Sequence, residues 1–342
     1  MKRKSFSMVK KIAVLSMAAI LLIGCTGCGS KKSHVRTITN VSYDPTREFY
    51  EAYNPLFEKY YKEKTGKEVD IIQSHGGSGA QARSVVEGCN ADVVTLALEH
   101  DITLIEQTGL IEKGWEQEFA DDSSPYTSTI VFLGRKGNPK QIKDSDDLVN
   151  KKVEILTPDP KSSGGACWNF LAALSYIKEQ TDDEKEQKAF LQKLYSQVSV
   201  MDSGARGSTT TFVENQKGDV LIAWENEAII TMKSYPDEYE MITPSVSILA
   251  QPSVAIVDDN ADANGTQEVS REYLNYLYTD DAHRLAAEYG YRPSNESILQ
   301  EFSDRFDLNV KLYTIKDYGG WNETYKNYFD DGAMFDEIYG NE

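Results

Sequence analysis

Basic residues, histidines and long apolar runs are all scarce in this chain of 342 residues. It has 36 Lys and Arg against 54 Asp and Glu, a formal net charge of −18. A protein that binds a phosphate backbone needs a clustered basic surface, so the charge balance argues against nucleic-acid binding. The four histidines show no metal-ligand spacing, and no glycine-rich loop ends in the Gly-Lys-Ser/Thr of a Walker A motif. We therefore expect no metal, cofactor or nucleotide site.

The one long apolar run lies near the N-terminus. Five basic residues and no acidic residue occupy residues 2–11, and residues 12–23 are almost all apolar. That run is too short to span a bilayer, and the pattern is typical of a secretory signal. The sequence LIGC ends at Cys25 and resembles a bacterial lipobox, which predicts a signal peptide over residues 1–24, lipidation of Cys25 and a tether over residues 25–35. An ordinary signal peptide, or cleavage before Cys28, is the alternative.

Cysteine is rare as well, with four in the chain. Cys25 and Cys28 have the spacing of a metal or redox pair, but their place at a processing site argues against that role. An exported protein can form a disulfide, so pairing of Cys89 with Cys167 stays open.

Removing residues 1–24 takes away five of the 36 basic residues and no acidic one. The mature chain then carries 31 basic and 54 acidic residues, a net charge of −23.

Beyond the tether, short apolar segments alternate with amphipathic ones. The run ADVVTLAL at residues 91–98 is continuously apolar, as expected of a buried strand in a parallel sheet. Alternation of strands and helices along the whole chain predicts an α/β fold with mainly parallel sheets. In such sheets ligands bind at the carboxyl ends of the strands.

Three breaks of similar composition fall at these strand ends. They are residues 76–79, 163–165 and 203–207, and each places Ser and Gly before a predicted helix. The first N–H groups of a helix have no internal acceptor and carry the positive end of the helix dipole. Gly admits a ligand close to the backbone, so the pattern predicts an anion site made without Lys or Arg. Simple helix capping by Ser is the alternative.

Catalytic roles are less well supported. His75 precedes Ser78 by three residues, but no Gly-x-Ser-x-Gly elbow surrounds that serine. An exported hydrolase using Ser78 or Ser163 with His75 is the remaining enzyme hypothesis. Glu225 and Glu227 would suit a hydrolase pair only with a further partner, and ion pairing explains them more simply.

Longer motifs resemble the sulfate-binding proteins of bacterial ABC importers, over about residues 36–340. The motifs are NVSYDPTR (40–47), QSHGGSG (73–79), ADVVTLAL (91–98), PYTSTIV (125–131), PKSSGGA (160–166), DSGARG (202–207), DVLIAWENE (219–227) and YGGW (318–321). Cys89 and Cys167 depart from the family pattern, and Cys167 lies two residues beyond one of the predicted ligand positions.

The resemblance implies a type II periplasmic-binding-protein fold, in which two α/β lobes joined by two crossing strands close on a ligand. Residues 127–134 and about 247–257 are the expected crossings. Lobe I would comprise residues 36–126 and 247–342, and lobe II residues 127–246. The resemblance also implies a monomeric receptor, not an enzyme, on the outer face of the bacterial cell membrane. This receptor would deliver sulfate or thiosulfate to an ABC permease with a cytoplasmic ATPase.

The resemblance also implies the ligand contacts, none of them from a cation. They are the backbone N–H groups of Asp44, Gly164, Gly165 and Ala205, the hydroxyls of Ser78 and Ser163, and the indole N–H of Trp224. A receptor for another tetrahedral oxyanion, molybdate or phosphate, is the alternative within the same class.

Overall fold

The computed structural model describes residues 35–339, so the predicted signal peptide, Cys25 and almost all of the tether lie outside the described residues. Thirteen β-strands lie in the described range: β1 Arg36–Tyr43, β2 Val69–Gly76, β3 Val93–Leu96, β4 Tyr126–Thr127, β5 Ile130–Arg135, β6 Ile155–Pro158, β7 Val198–Asp202, β8 Val220–Trp224, β9 Tyr239–Ile242, β10 Val246–Ile248, β11 Ser253–Ile256, β12 Arg292–Pro293 and β13 Lys311–Tyr313.

Fifteen helical segments connect or follow these strands within the same range: α1 Arg47–Thr65, α2 Ser78–Val86, α3 Glu99–Glu106, α4 Ala120–Ser123, α5 Asp147–Asn150, α6 Gly164–Lys178, α7 Glu184–Tyr195, α8 Ala205–Val213, α9 Glu225–Ser234, α10 Asp258–Asn264, α11 Gln267–Tyr276, α12 Asp280–Glu288, α13 Glu296–Glu301, α14 Trp321–Tyr328 and α15 Met334–Tyr339. Short 3₁₀ turns occur at Asp44–Thr46, Trp115–Gln117 and Ile315–Tyr318. None of the helices in residues 35–339 has the length and apolar character to cross a membrane.

The first sheet has four strands in the order β11-β3-β1-β2. β1 runs parallel to both β2 and β3, and β11 is antiparallel to β3. Apolar side chains cover both faces, as they must when helices pack on each side of a sheet. One face is rich in packed aromatic rings from α1 and α11, including Tyr53 and Tyr273, whose centroids lie 5.2 Å apart.

The second sheet has five strands in the order β7-β6-β8-β5-β9. β6 is parallel to β7 and β8, whereas β5 is antiparallel to β8 and β9. Both sheets are therefore mixed, with parallel pairing where helices connect the strands. The predicted α/β class is confirmed.

Two chain segments lie side by side next to these sheets, and each joins one of them to a strand of a two-stranded sheet, β4 paired with β12 or β10 paired with β13. One passes from β4 to β5 and the other from β10 to β11, and they meet at Ser128 and Ala250. Each of these residues donates its backbone N–H to the carbonyl of the other, at 2.9 Å. The segments fall within the ranges 127–134 and 247–257 that the sequence suggested as crossings.

The C-terminal residues pack against the second sheet. Ile315, Trp321 and Phe335 share one apolar core with Trp168 and Phe170 of α6. The sequence-based division assigned all of residues 247–342 to the first lobe. These contacts favour placing the chain from Ile315 onward with the second lobe, and the division itself stays a prediction.

A buried ion pair joins α9 to β12. Arg292 donates from Nε and Nη2 to the Glu225 carboxylate at 2.6 and 2.9 Å, and both side chains are almost fully buried. Burial raises the pKa of Glu225, and the bonds from Arg292 oppose that rise. Each charge depends on the other, since an unpaired charge in this environment is strongly unfavourable.

We expect the substitution Arg292→Met to lower the free energy of unfolding by about 3–5 kcal/mol, because it leaves a buried carboxylate without a partner. Urea denaturation measures the change. Arg284→Met is the matched control, because Arg284 pairs with Glu301 at an exposed position and its loss should have little effect. Equal losses in the two variants would contradict this account.

Candidate anion-binding site

Four helical N-termini, those of the 3₁₀ turn Asp44–Thr46 and of α2, α6 and α8, meet at one small cavity that is partly open to solvent. The cavity has a volume of about 10 Å³, room for one water-sized group. It is lined by Tyr43, Asp44, Pro45, Gly76, Gly77, Ser78, Ser163, Gly165 and Ala205. The structure therefore brings together five of the seven predicted ligand residues in the lining of a single cavity.

The N-terminus of α6 supplies Ser163, Gly164 and Gly165. Ser163 has the extended backbone of an N-cap residue, and the two glycines are the first residues of the helix. Gly164 packs so closely that a Cβ there would lie 2.9 Å from Leu98 Cγ and 3.0 Å from Ser78 Cβ. Glycine is thus required for the approach of α6 to the chain around β3 and α2.

Ser78 is the first residue of α2, and its hydroxyl is already occupied. Its Oγ donates to Asp101 Oδ2 at 2.5 Å and accepts from the backbone N–H of Ala97 at 2.9 Å. The hydroxyl contact predicted for Ser78 stays a prediction, because the hydroxyl would have to leave Asp101 to reach an anion. The backbone N–H of Ser78 has no acceptor within α2 and is the group that residue 78 can offer without breaking a hydrogen bond.

Sequence reasoning missed Asp101, the partner of Ser78. It lies 23 residues further along the chain, on α3, and is fully buried. Nothing in the local sequence distinguishes it from an ordinary acidic residue in a first helical turn. Only the packing of α3 against α2 brings the two side chains together.

Asp44 and Ala205 add one helical N-terminus each. Asp44 begins the 3₁₀ turn that precedes α1, and Ala205 is the first residue of α8, after the extended Gly204. The Asp44 carboxylate pairs with Arg47 at 3.7 Å and lies over Gly204, 3.1 Å from the position of a Cβ there. Burial raises the pKa of Asp44, and the positive charges of Arg47 and Arg206 oppose that rise.

Trp224 lies beside the cavity, at the end of β8. Its indole Nε1 donates to the carbonyl of Gly165 at 3.1 Å, and its ring packs on Tyr43 with centroids 5.5 Å apart. Trp224 and Gly164 are the two predicted ligand residues that are not part of the cavity lining. Both adjoin Gly165, which is part of it.

The cavity lining contains no Lys or Arg. The guanidinium of Arg206, one residue past Ala205, contacts Glu48 at 2.7 Å and Glu227 at 3.3 Å. The positive charge that faces the cavity therefore comes from oriented backbone N–H groups. A space bounded by several helix N-termini suits a small anion that can accept many hydrogen bonds.

The geometry does not support the hydrolase hypothesis. His75 Nδ1 lies 2.8 Å from Ser42 Oγ, while the Ser78 hydroxyl contacts Asp101 and Ala97. Within residues 35–339, no group of three or more metal-ligating side chains comes together. Cys89 and Cys167 are free thiols, so the disulfide that the sequence left open is not formed in this structure.

Comparison with known proteins agrees with this geometry. The profile of a family described as bacterial extracellular solute-binding proteins matches residues 41–292. A sulfate-binding protein of Escherichia coli is 50% identical over 304 residues, which cover 88% of this chain and 92% of the relative. A thiosulfate-binding protein of Pseudomonas aeruginosa is 41% identical over 325 residues, covering 94% of this chain and 98% of the relative.

The chain belongs to the sulfate- and thiosulfate-binding family of bacterial extracellular solute-binding proteins. The solved structure of the sulfate-binding protein SubI from Mycobacterium tuberculosis is 32% identical and superimposes with a TM-score of 0.79, covering 86% of this chain and all of that one. A periplasmic binding protein AfuA from Actinobacillus pleuropneumoniae shares the fold at 17% identity, with a TM-score of 0.64. This solute-binding protein is not an enzyme.

We expect His75 to stay neutral at pH 7, because burial, reinforced by the positive charge of Arg47, lowers its pKa to about 4. NMR titration of the imidazole shifts measures this pKa, with the chain unfolded in urea as the control. The folded state then binds the proton less well than the unfolded state, so His75 lowers stability as the pH falls from about 6.5 towards 4. A folded-state pKa near 6.5 would contradict the assignment.

Proposed function

We propose that this protein captures sulfate outside the cytoplasm and delivers it to an ABC importer. The observation that carries the proposal is the convergence of four helical N-termini on one cavity whose lining lacks Lys and Arg. Fifty per cent identity to a sulfate-binding protein over most of both chains supports it. The importer would comprise permease subunits and a cytoplasmic ATPase.

In the proposed complex, sulfate accepts hydrogen bonds from both sides of the cavity. The donors would be the backbone N–H groups of Asp44, Ser78, Gly164, Gly165 and Ala205, the hydroxyl of Ser163 and the indole N–H of Trp224. The indole N–H would exchange the Gly165 carbonyl, its present acceptor, for a sulfate oxygen.

The expected energies are sufficient for tight binding. A hydrogen bond to a charged acceptor contributes about 1.5–3 kcal/mol net. Seven such bonds exceed the roughly 8 kcal/mol of a micromolar complex, and the excess offsets desolvation and lobe closure. A cation is therefore not needed for affinity.

The same donors would select against phosphate. Sulfate has four acceptor oxygens and no proton at neutral pH, whereas phosphate carries a P–OH group that needs an acceptor. An unpaired buried donor costs about 1–3 kcal/mol. Asp44 is the one carboxylate in the lining; its Oδ1 lies 3.7 Å from Arg47 Nη2 and its Oδ2 lies over Gly204. Thiosulfate also lacks a proton, so we expect it to compete where phosphate does not.

We expect the substitution Gly164→Ala to weaken sulfate binding about tenfold or more, because its new methyl group would collide with Leu98 and Ser78 and such overpacking costs about 1–3 kcal/mol. Isothermal titration calorimetry with sulfate measures the affinity. Gly79→Ala is the matched control, since its Cβ would be 3.5 Å from Arg83 Nη1, an ordinary contact.

The control should bind sulfate like the unchanged protein. Competition by thiosulfate, molybdate and phosphate on the same protein identifies the preferred anion. Tight binding of phosphate or molybdate without measurable binding of sulfate would replace the proposal with a receptor for that anion.

We further assign the protein to the outer face of the cell membrane, where a diacylated Cys25 would anchor it. Expression with radioactive palmitate should label the chain, because acyl transfer requires the Cys25 thiol, and Cys25→Ala should abolish the label. Cys28→Ala is the control and should label normally. Label lost in Cys28→Ala and kept in Cys25→Ala would move the anchor to Cys28.

A further inference from the structure

Two neighbouring parallel strands of the second sheet, β6 and β8, separate towards their carboxyl ends. Their pairing ends at Leu156 and Leu221. β6 continues to Pro158, where it pairs with β7, and β8 continues to Trp224, where it pairs with β5. A gap therefore opens between the two strands on the side of the sheet edge where α6 and α8 begin.

The amide side chain of Asn169, on α6, bridges this gap. Its Nδ2 donates to Thr157 Oγ1 and to the carbonyl of Ile222, both at 3.0 Å. The side chain is buried, and its Oδ1 has no hydrogen-bond partner within residues 35–339. Buried polar groups nearly always have a partner, so this oxygen points to a small donor beside it.

A second unpaired group, the hydroxyl of Ser208 on α8, reaches the same place. The side chain is fully buried, and in the described part of the chain its Oγ also lacks a partner. Asn169 and Ser208 both line a second cavity of about 10 Å³, and the lining also includes Ala205, Trp224 and Glu227. That volume is about the smallest that holds one water molecule.

The polar groups in this lining define what can bind there. A ligand has to donate to the Asn169 oxygen and accept from the Ser208 hydroxyl. The carboxylate of Glu227 accepts from Arg206 at 3.3 Å and from Thr209 at 3.0 Å, and it has acceptor capacity left. Water combines two donors with acceptor lone pairs, and buried waters typically make about three hydrogen bonds.

We propose that the second cavity binds one ordered water molecule, which donates to Asn169 Oδ1 and to the Glu227 carboxylate and accepts from Ser208 Oγ. This water links α6, α8 and α9 across the gap between β6 and β8. A buried bridging water satisfies groups that would otherwise stay unpaired, so its removal is unfavourable.

The water lies directly behind the proposed anion donors. Ala205 lines both this cavity and the anion cavity. Asn169 lies one turn after Gly165 on α6, and Ser208 lies one turn after Ala205 on α8. On the basis of the sulfate-binding function proposed above, Asn169 and Ser208 are positioning residues, because through the water they fix the two helix N-termini relative to each other.

A high-resolution crystal structure of the unchanged mature chain tests the water site itself. One water should lie within hydrogen-bond distance of Asn169 Oδ1, Ser208 Oγ and the Glu227 carboxylate. It should be present with and without sulfate, because the groups that bind it belong to helices packed on one sheet. A direct bond between Asn169 and Ser208, a cavity without density, or a metal ion in it would overturn the proposal.

The substitution Ser208→Ala tests the positioning role. It should weaken sulfate binding about three- to tenfold, the change that one lost hydrogen bond corresponds to, as measured by isothermal titration calorimetry. Ser270→Ala is the matched control. Ser270 is also a fully buried helical serine whose hydroxyl has no partner within residues 35–339, but it lies on α11, which packs on the first sheet. It should bind sulfate like the unchanged protein.

Sulfate affinity that is unchanged in Ser208→Ala, with a loss of stability in urea alone, would overturn the positioning role. The crystallographic test needs no variant, so it decides on the water even if Ser208→Ala does not fold. Absence of sulfate binding by the unchanged protein would refute the receptor function and leave the water site standing, so the two failures are distinguishable.

Discussion

The site depends on one constraint, the unpaired N–H groups at the start of every helix. Four such starts meet at one cavity, and no cation lines it. The N-termini of α2, α6 and α8 each carry about half a positive charge that cannot move or be titrated away. Fixed dipoles from several directions can surround a tetrahedral anion, which a single lysine cannot do. The glycines, the short connections and the mixed sheets all serve to bring those N-termini together.

The charge distribution follows from the same constraint. The chain has a net charge of −18, so its long-range field repels an anion, and attraction must arise within a few ångströms of the cavity. The guanidinium of Arg206, the residue after Ala205, is held by Glu48 and Glu227. Two carboxylates lie close to the cavity. Asp44 pairs with Arg47, and burial raises the pKa of Asp101. Local geometry therefore outweighs net charge in this protein.

Much of this arrangement was predictable, because local chemistry determines it. Ser and Gly at strand-to-helix junctions predicted the N-termini of α2, α6 and α8, and periodic apolar segments predicted the α/β class. Contacts between residues far apart in the chain were not predictable. How the helices pack decides two of these contacts, the hydrogen bonds from Ser78 to Asp101 and from Trp224 to Gly165. The packing of the residues after Ile315 on the second sheet depends on shape complementarity, which sequence periodicity does not encode.

A crystal structure of the protein grown with sulfate tests the central claim most directly. The account predicts one sulfate in the cavity, held by backbone N–H groups from the four helical N-termini together with the Ser163 hydroxyl and the Trp224 indole, and with no Lys or Arg side chain in contact. A sulfate held by a lysine or an arginine, or one bound elsewhere with this cavity left to water, would contradict it.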